Sequence, residues 1–130
     1  MSHRKLVIVP TYNELENISD MVQTVMELEG NFELLIIDDG SPDGTAGIVK
    51  SMQNAFEGRL HLMERAGKLG LGTAYIAGFR WALERDYDFI FEMDCDFSHD
   101  PKDLIRLYQG IKNRDYDLAI GSRYITGVNV

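Results

Sequence analysis

A single cysteine, Cys95, stands among the 130 residues of the chain, so no intramolecular disulfide can staple the fold. A reducing, cytoplasmic setting is the resulting expectation. Long apolar runs are missing as well. The basic start Met1-Ser2-His3-Arg4-Lys5 leads into four apolar residues, Leu6 to Val9, before Pro10, and no apolar run elsewhere exceeds the four of Leu34 to Ile37. A secretory leader needs a longer apolar stretch, and a membrane-spanning helix needs roughly 18 or more apolar residues, so neither is expected within these residues. Positive charge is scarce: 13 Lys and Arg face 21 Asp and Glu, a net charge of −8. That balance disfavours sequence-independent nucleic-acid binding, which needs a basic footprint, and it suits divalent cations. No internal repeat, low-complexity tract or linker interrupts the chain. What remains is 45% apolar and 26% charged, the composition of one globular domain with its own core.

Short β-like runs alternate with helical patterns. Lys5 to Val9 is a β-branched run stopped by Pro10, hence a buried strand. Asn13, three residues before Glu16, reads as a helix cap with its reciprocal partner. Ile18, Met21, Val22, Val25 and Met26 then fall on one helix face, with Gly30 closing the segment. Phe32 to Ile37 is a second strand, and Gly44 to about Phe56 a second helix. Leu60 to Met63 is a third strand, and a glycine-rich loop over 67–72 opens onto a helix from about Thr73 to Glu84. Phe89 to Met93 is a fourth strand. Asp100-Pro101 starts a further helix as cap and first residue, and Leu118 to Ile120 is a fifth strand. Strands separated by helices of this length predict an α/β fold: a three-layer, doubly wound, mostly parallel sheet with helices on both faces.

Ligands of such sheets bind beyond the carboxyl ends of the strands, so the residues just past each strand are the place to look for chemistry. Glu14, Asp38, Asp39, Asp43, Asp94, Asp96 and Asp100 all lie in or beside loops at that edge, seven of the 21 acids. Asp94-Cys95-Asp96 is the sharpest feature. Alternate residues leaving a strand point to one side, so both carboxylates can face one ligand. Two carboxylates with phosphate oxygens make an all-oxygen site suited to Mg²⁺ or Mn²⁺. Without a cation each carboxylate–phosphate pair would repel by about 4 kcal/mol at 4 Å. The competing reading makes Asp94 a turn residue and leaves Asp96 solvated. Asp38-Asp39 leave a buried apolar strand and could hydrogen-bond a base edge or ribose, while Asp43 or Thr45 could cap the second helix. The 67–72 segment matches neither a dinucleotide nor a Walker fingerprint, although Lys68 could meet a phosphate. Arg123, past the fifth strand, could grip phosphate in bidentate fashion. His99 could touch a bound ligand, whereas His3 and His61 read as structural. Cys95 has no neighbouring His or second Cys and reads as a small spacer; Trp81 and the methionines read as core.

These loops, taken in order, resemble family-2 inverting glycosyltransferases, and in particular the dolichol- or polyprenol-phosphate mannosyltransferase branch. The residues that carry the resemblance are PTYNE at 10–14, DDGSPDGT at 38–45, KLGLGTAYIAGF at 68–79, MDCDFSHDP at 93–101 and GSRY at 121–124. The resemblance implies a nucleotide-diphospho-sugar transferase fold of the GT-A type. It places Pro10, Tyr12, Glu14, Ile37 and Asp39 around the nucleotide. Asp94, Cys95 and Asp96 would hold the diphosphate and its metal, with Ser98 a further metal ligand and Arg123 at the phosphate end. Asp94, Asp96 and Arg123 are the catalytic candidates on this view. Cys95 stands where the family often has Ala, and both are small.

The reaction so implied is transfer of mannose from GDP-mannose to a dolichyl or polyprenyl phosphate, with Mg²⁺ or Mn²⁺ as cofactor and inversion at the anomeric carbon. A phosphate nucleophile is already ionised near neutral pH and needs no strong base. The lipid acceptor implies peripheral contact of the parent protein with the cytoplasmic membrane face. The family has more chain after GSRY, so residues 1–130 are expected to be the nucleotide-sugar-binding portion, with the acceptor portion beyond. Two readings stay open beside this one: a family member using a UDP-sugar and a carbohydrate acceptor, and a non-catalytic nucleotide-sugar-binding module. A phosphorelay receiver, of similar size and acidity, is disfavoured because its paired acids would come after the first strand.

Overall fold

A computed structural model of the chain describes residues 3–67, 69–96, 98, 100–111 and 118–120. Five strands form one parallel sheet: β1 (Lys5–Thr11), β2 (Glu33–Asp38), β3 (Leu60–Glu64), β4 (Phe89–Glu92) and β5 (Leu118–Ile120), in the order β3-β2-β1-β4-β5. The helices are α1 (Ile18–Met26), α2 (Thr45–Met52), α3 (Leu71–Leu83) and α4 (Asp103–Ile111). Reversal of strand order on either side of central β1 opens a crevice at the carboxyl ends of β1 and β4, where such folds bind ligands.

Strand alternation divides the core into two layers. Val7, Val9, Leu34, Ile36, Phe89 and Phe91 face α1, α2 and α4, while Leu6, Ile8, Leu35, Ile37 and Ile90 face α3. Both faces are covered, which is why the central strands are apolar throughout rather than alternating. Gly78 sets the second layer: a Cβ there would come within 2.8 Å of Ile8 Cγ2 and 2.9 Å of Ile37 Cδ1. Only a glycine lets α3 lie this close to the sheet. Met21, Met26 and Met93 are core as expected, and Trp81 is half-buried against the α3 layer, stacked near His61 and Tyr87.

The structure moves several element ends. β1 runs through Pro10 to Thr11 instead of stopping at it. Ile8 C=O accepts from Met93 N–H on the β4 side. Pro10, two residues on, therefore has its missing N–H aimed past the last ladder residue of β4, where nothing is lost. α2 is shorter than its apolar pattern: from Gln53 to Phe56 the backbone bonds become i to i+3, as in Phe56 N–H to Gln53 C=O. α3 begins two residues early, at Leu71, because Gly70 takes a φ of +103° and turns the chain into the helix. At α4, Asp100 accepts from Lys102 N–H at 3.0 Å and the regular helix starts at Asp103.

The expected cap at Asn13 does not form. Asn13 adopts a φ of +55°, and α1 starts at Ile18 after Asn17. The freed backbone donors turn to the loop after β2 instead. Asn13 N–H donates to Ser41 Oγ at 2.9 Å, Glu14 N–H to Thr45 Oγ1 at 3.1 Å, and Leu15 N–H to Asp43 Oδ2 at 3.1 Å. Three side chains of the 38–45 segment thus hold the loop after β1 in place.

Candidate active site

Two adjacent acids at the end of β2 do different work. Asp38 is fully buried and accepts from Thr11 Oγ1 (2.7 Å), Ser41 Oγ (2.7 Å) and Ser41 N–H (2.9 Å). Its acceptor capacity is spent on the turn. Asp39, on the opposite side of the strand, meets Arg65 in a bidentate pair, Nε to Oδ1 at 2.6 Å and Nη2 to Oδ2 at 2.8 Å. The Asp39 hydrogen bonds raise the pKa of the Arg65 guanidinium above its ordinary value. Arg65 also donates to Thr73 Oγ1 and to Gly70 C=O, so it ties the end of β2 to the start of α3.

Over this pair opens a cleft of roughly 100 Å³, lined by Pro10, Thr11, Tyr12, Asp39, Gly70 and Leu71. Its lining is mostly apolar, with the Asp39 carboxylate as its one charged group. Pro10, Tyr12 and Asp39 are brought together here as the sequence suggested. Ile37 is not: its side chain is fully buried under α3, against the place a Gly78 side chain would occupy. Glu14 is not among the residues that line the cleft. It accepts from Asn17 Nδ2 at 3.4 Å and lies against the Cys95 thiol.

The loop after β4 carries the other candidate residues. Asp94 is half-buried, and its Oδ1 accepts from the Tyr75 hydroxyl at 3.1 Å. Asp96 is exposed, with Oδ1 accepting from Ser98 N–H at 2.9 Å. Between them Cys95 is buried in the α1 layer, where burial and then the Glu14 carboxylate push its thiol pKa far up. A thiol so held stays protonated, in keeping with a spacer. Glu92, two residues before Asp94, sits on the α3 face of β4 as a nearly buried carboxyl. Desolvation and then the Asp94 charge push its pKa up to about 7.

Among the described residues no three Asp, Glu, His or Cys side chains converge on one point as a ready-made metal cage. Asp94 and Asp96 remain two hard oxygen donors on one loop, fitting a cation that takes its other ligands from phosphate and water. Lys68, His99, Arg123 and the rest of the 121–124 segment lie outside the described residues. Sequence reading missed Arg65, Tyr75 and Glu92. Arg65 directly succeeds β3 as a single basic residue outside the motifs, and Glu92 is a charge inside an otherwise apolar strand. Tyr75 lies on a helix, where strand-exit logic does not reach.

Residues 6–130 match Glycosyl transferase family 2. Polyprenol monophosphomannose synthase of Mycolicibacterium smegmatis is 46% identical over 129 residues, 99% of this chain and 48% of that protein. Undecaprenyl-phosphate mannosyltransferase of Micrococcus luteus is 45% identical over 124 residues, 95% of this chain and 50% of that protein. The chain therefore spans about half the length of the curated relatives it matches. In structure it is similar to the mannosyltransferase PcManGT from Pyrobaculum calidifontis in complex with GDP-Man and Mn²⁺, at a TM-score of 0.65 and 26% identity over 74% of this chain and 28% of that one. S. aureus TarS 1-349 in complex with UDP-GlcNAc gives a TM-score of 0.71 at 23% identity, over 98% of this chain and 36% of that one, a likeness of fold.

Proposed function

The chain belongs to glycosyl transferase family 2, and on that premise we propose that residues 1–130 are the nucleotide-sugar-binding portion of an inverting, metal-dependent mannosyltransferase. Its donor is GDP-mannose and its acceptor a polyprenyl or dolichyl phosphate. The observation that carries this reading is the 45–46% identity, across nearly the whole chain, to two enzymes whose names specify polyprenol phosphates and mannose. The neighbour holding GDP-Man and Mn²⁺ supports the donor and the metal.

In this reading the cleft takes the nucleoside, with Tyr12 and Leu71 as walls and the Arg65-oriented Asp39 as acceptor for base or ribose donors. Glu14 and Ile37 support that pocket from behind, through Cys95 and through α3 respectively. Asp94 and Asp96 would hold Mg²⁺ or Mn²⁺, with the diphosphate against the Cys95 backbone, Ser98 as a further ligand and Arg123 pairing with phosphate. A cation held there would supply charge compensation for the departing nucleoside diphosphate. Asp94, Asp96 and Arg123 are the catalytic residues of the proposal. The acceptor phosphate attacks the anomeric carbon as an anion, so none of these carboxylates has to act as a base. Among the described residues no helix is long and apolar enough to cross a membrane. Peripheral contact of the parent protein with the lipid surface is proposed from the lipid acceptor alone.

Calorimetry tests the site: GDP is expected to bind only with Mn²⁺ or Mg²⁺ present, and Asp96→Ala to abolish that dependence. Metal-independent binding, or none, refutes the assignment. Donor screening with the chain in its full-length context tests the reaction, and transfer from a UDP-sugar to a carbohydrate hydroxyl would replace this reading with the other branch. Flotation with polyprenyl-phosphate liposomes tests the membrane contact.

A further inference from the structure

We propose that Tyr75 is a positioning residue that fixes the Asp94 carboxylate for cation binding, an inference that rests on the metal reading of Asp94. The Tyr75 hydroxyl donates to Asp94 Oδ1 at 3.1 Å, across 19 residues of sequence. That bond occupies one lone pair of one oxygen and restrains the plane of the carboxylate. The remaining lone pairs are left for a cation.

Two further observations make Tyr75 a rigid donor rather than a passing contact. Its ring packs against the core layer formed by Leu6, Ile8 and Ile90, so it cannot swing without opening that layer. Gly78, one turn further along α3, seats the helix within side-chain contact of Ile8 and Ile37, which fixes the height of Tyr75 above the sheet.

Such an outer partner typically contributes 10- to 100-fold to metal affinity by holding a ligand in its binding orientation. The test compares wild type, Tyr75→Phe and Asp94→Asn in the full chain. Mn²⁺ binding is titrated by electron paramagnetic resonance in the presence of GDP, and circular dichroism on the same samples gives the folded fraction. Tyr75→Phe keeps the ring and its packing, and is expected to weaken Mn²⁺ binding at least about 10-fold with the folded fraction unchanged. Should the variant unfold in part, the apparent Kd shifts only by the lost folded fraction, so any excess weakening still reports on Asp94. A loss in Asp94→Asn with none in Tyr75→Phe beyond the folded-fraction correction overturns this inference and leaves the metal site standing. No change in either variant overturns the metal reading of Asp94 and this inference with it.

Discussion

Breaking the Asp39–Arg65 pair one partner at a time separates its structural role from its role in binding. The two side chains are 8% and 12% exposed, and their two contacts of 2.6 and 2.8 Å leave no room for water between them. Opposite charges about 4 Å apart attract by about 4 kcal/mol at an effective dielectric near 20, and most of that gain is offset by the cost of desolvating both ions. Removing one partner leaves that cost without its compensation, typically about 3–5 kcal/mol. The pair borders an open cleft and Arg65 retains Thr73 and Gly70 as acceptors, so the cost falls at or just below the bottom of that range. We expect Arg65→Met and Asp39→Asn each to destabilise by about 2–3 kcal/mol, and the double variant to lie within about 1 kcal/mol of wild type. The coupling energy is then at least about 3 kcal/mol, measured by urea denaturation at pH 7 with circular dichroism. GDP binding by calorimetry supplies the second readout: the double variant recovers stability but not affinity, because Asp39 is still missing. Single and double effects that add within about 0.5 kcal/mol would refute the buried-pair argument, and full recovery of GDP binding would remove Asp39 from the nucleotide site.

Packing and titration give two further expectations. Gly78→Ala gains about 1 kcal/mol of helix propensity but forces a methyl to within 3 Å of two fully buried isoleucines. A net loss of about 1–2 kcal/mol in urea denaturation is expected, partly recovered in Gly78→Ala/Ile37→Val, whereas a stabilised alanine variant would show that α3 is free to move. Glu33 carries the pH dependence at the opposite end of the sheet. Burial pushes its carboxyl up, yet hydrogen bonds from Arg4, Tyr87 and His61 outweigh this and leave its pKa below the ordinary 4.5. The unfolded chain then binds the proton first, so stability is fully present above about pH 4.5 and falls as pH drops through the lower folded value. Denaturation midpoints measured from pH 6 to 3 should show that decline, and Glu33→Gln should flatten it; parallel curves for the two proteins would contradict the assignment.

Much of this architecture was legible in the order of residues. β-branched runs and 3.6-residue apolar stripes are local signals, and they specify the five strands, the helices and the doubly wound class because parallel strands need crossovers. The gathering of acids at one edge comes from the same logic, since strand exits share an edge. Tertiary structure alone decided which acid does what. Asp38 and Asp39 are neighbours with the same chemistry, and only the positions of Thr11, Ser41 and Arg65 make one a turn anchor and the other a cleft carboxylate. Asn13 carried a capping signature that lost, because Ser41, Asp43 and Thr45 came within reach of the same backbone donors from about 30 residues away. Tyr75 and Asp94 became partners only when Gly78 let α3 settle onto the sheet. Periodicity is written within one turn or one strand; a hydrogen bond between distant segments exists only after the chain has closed around it.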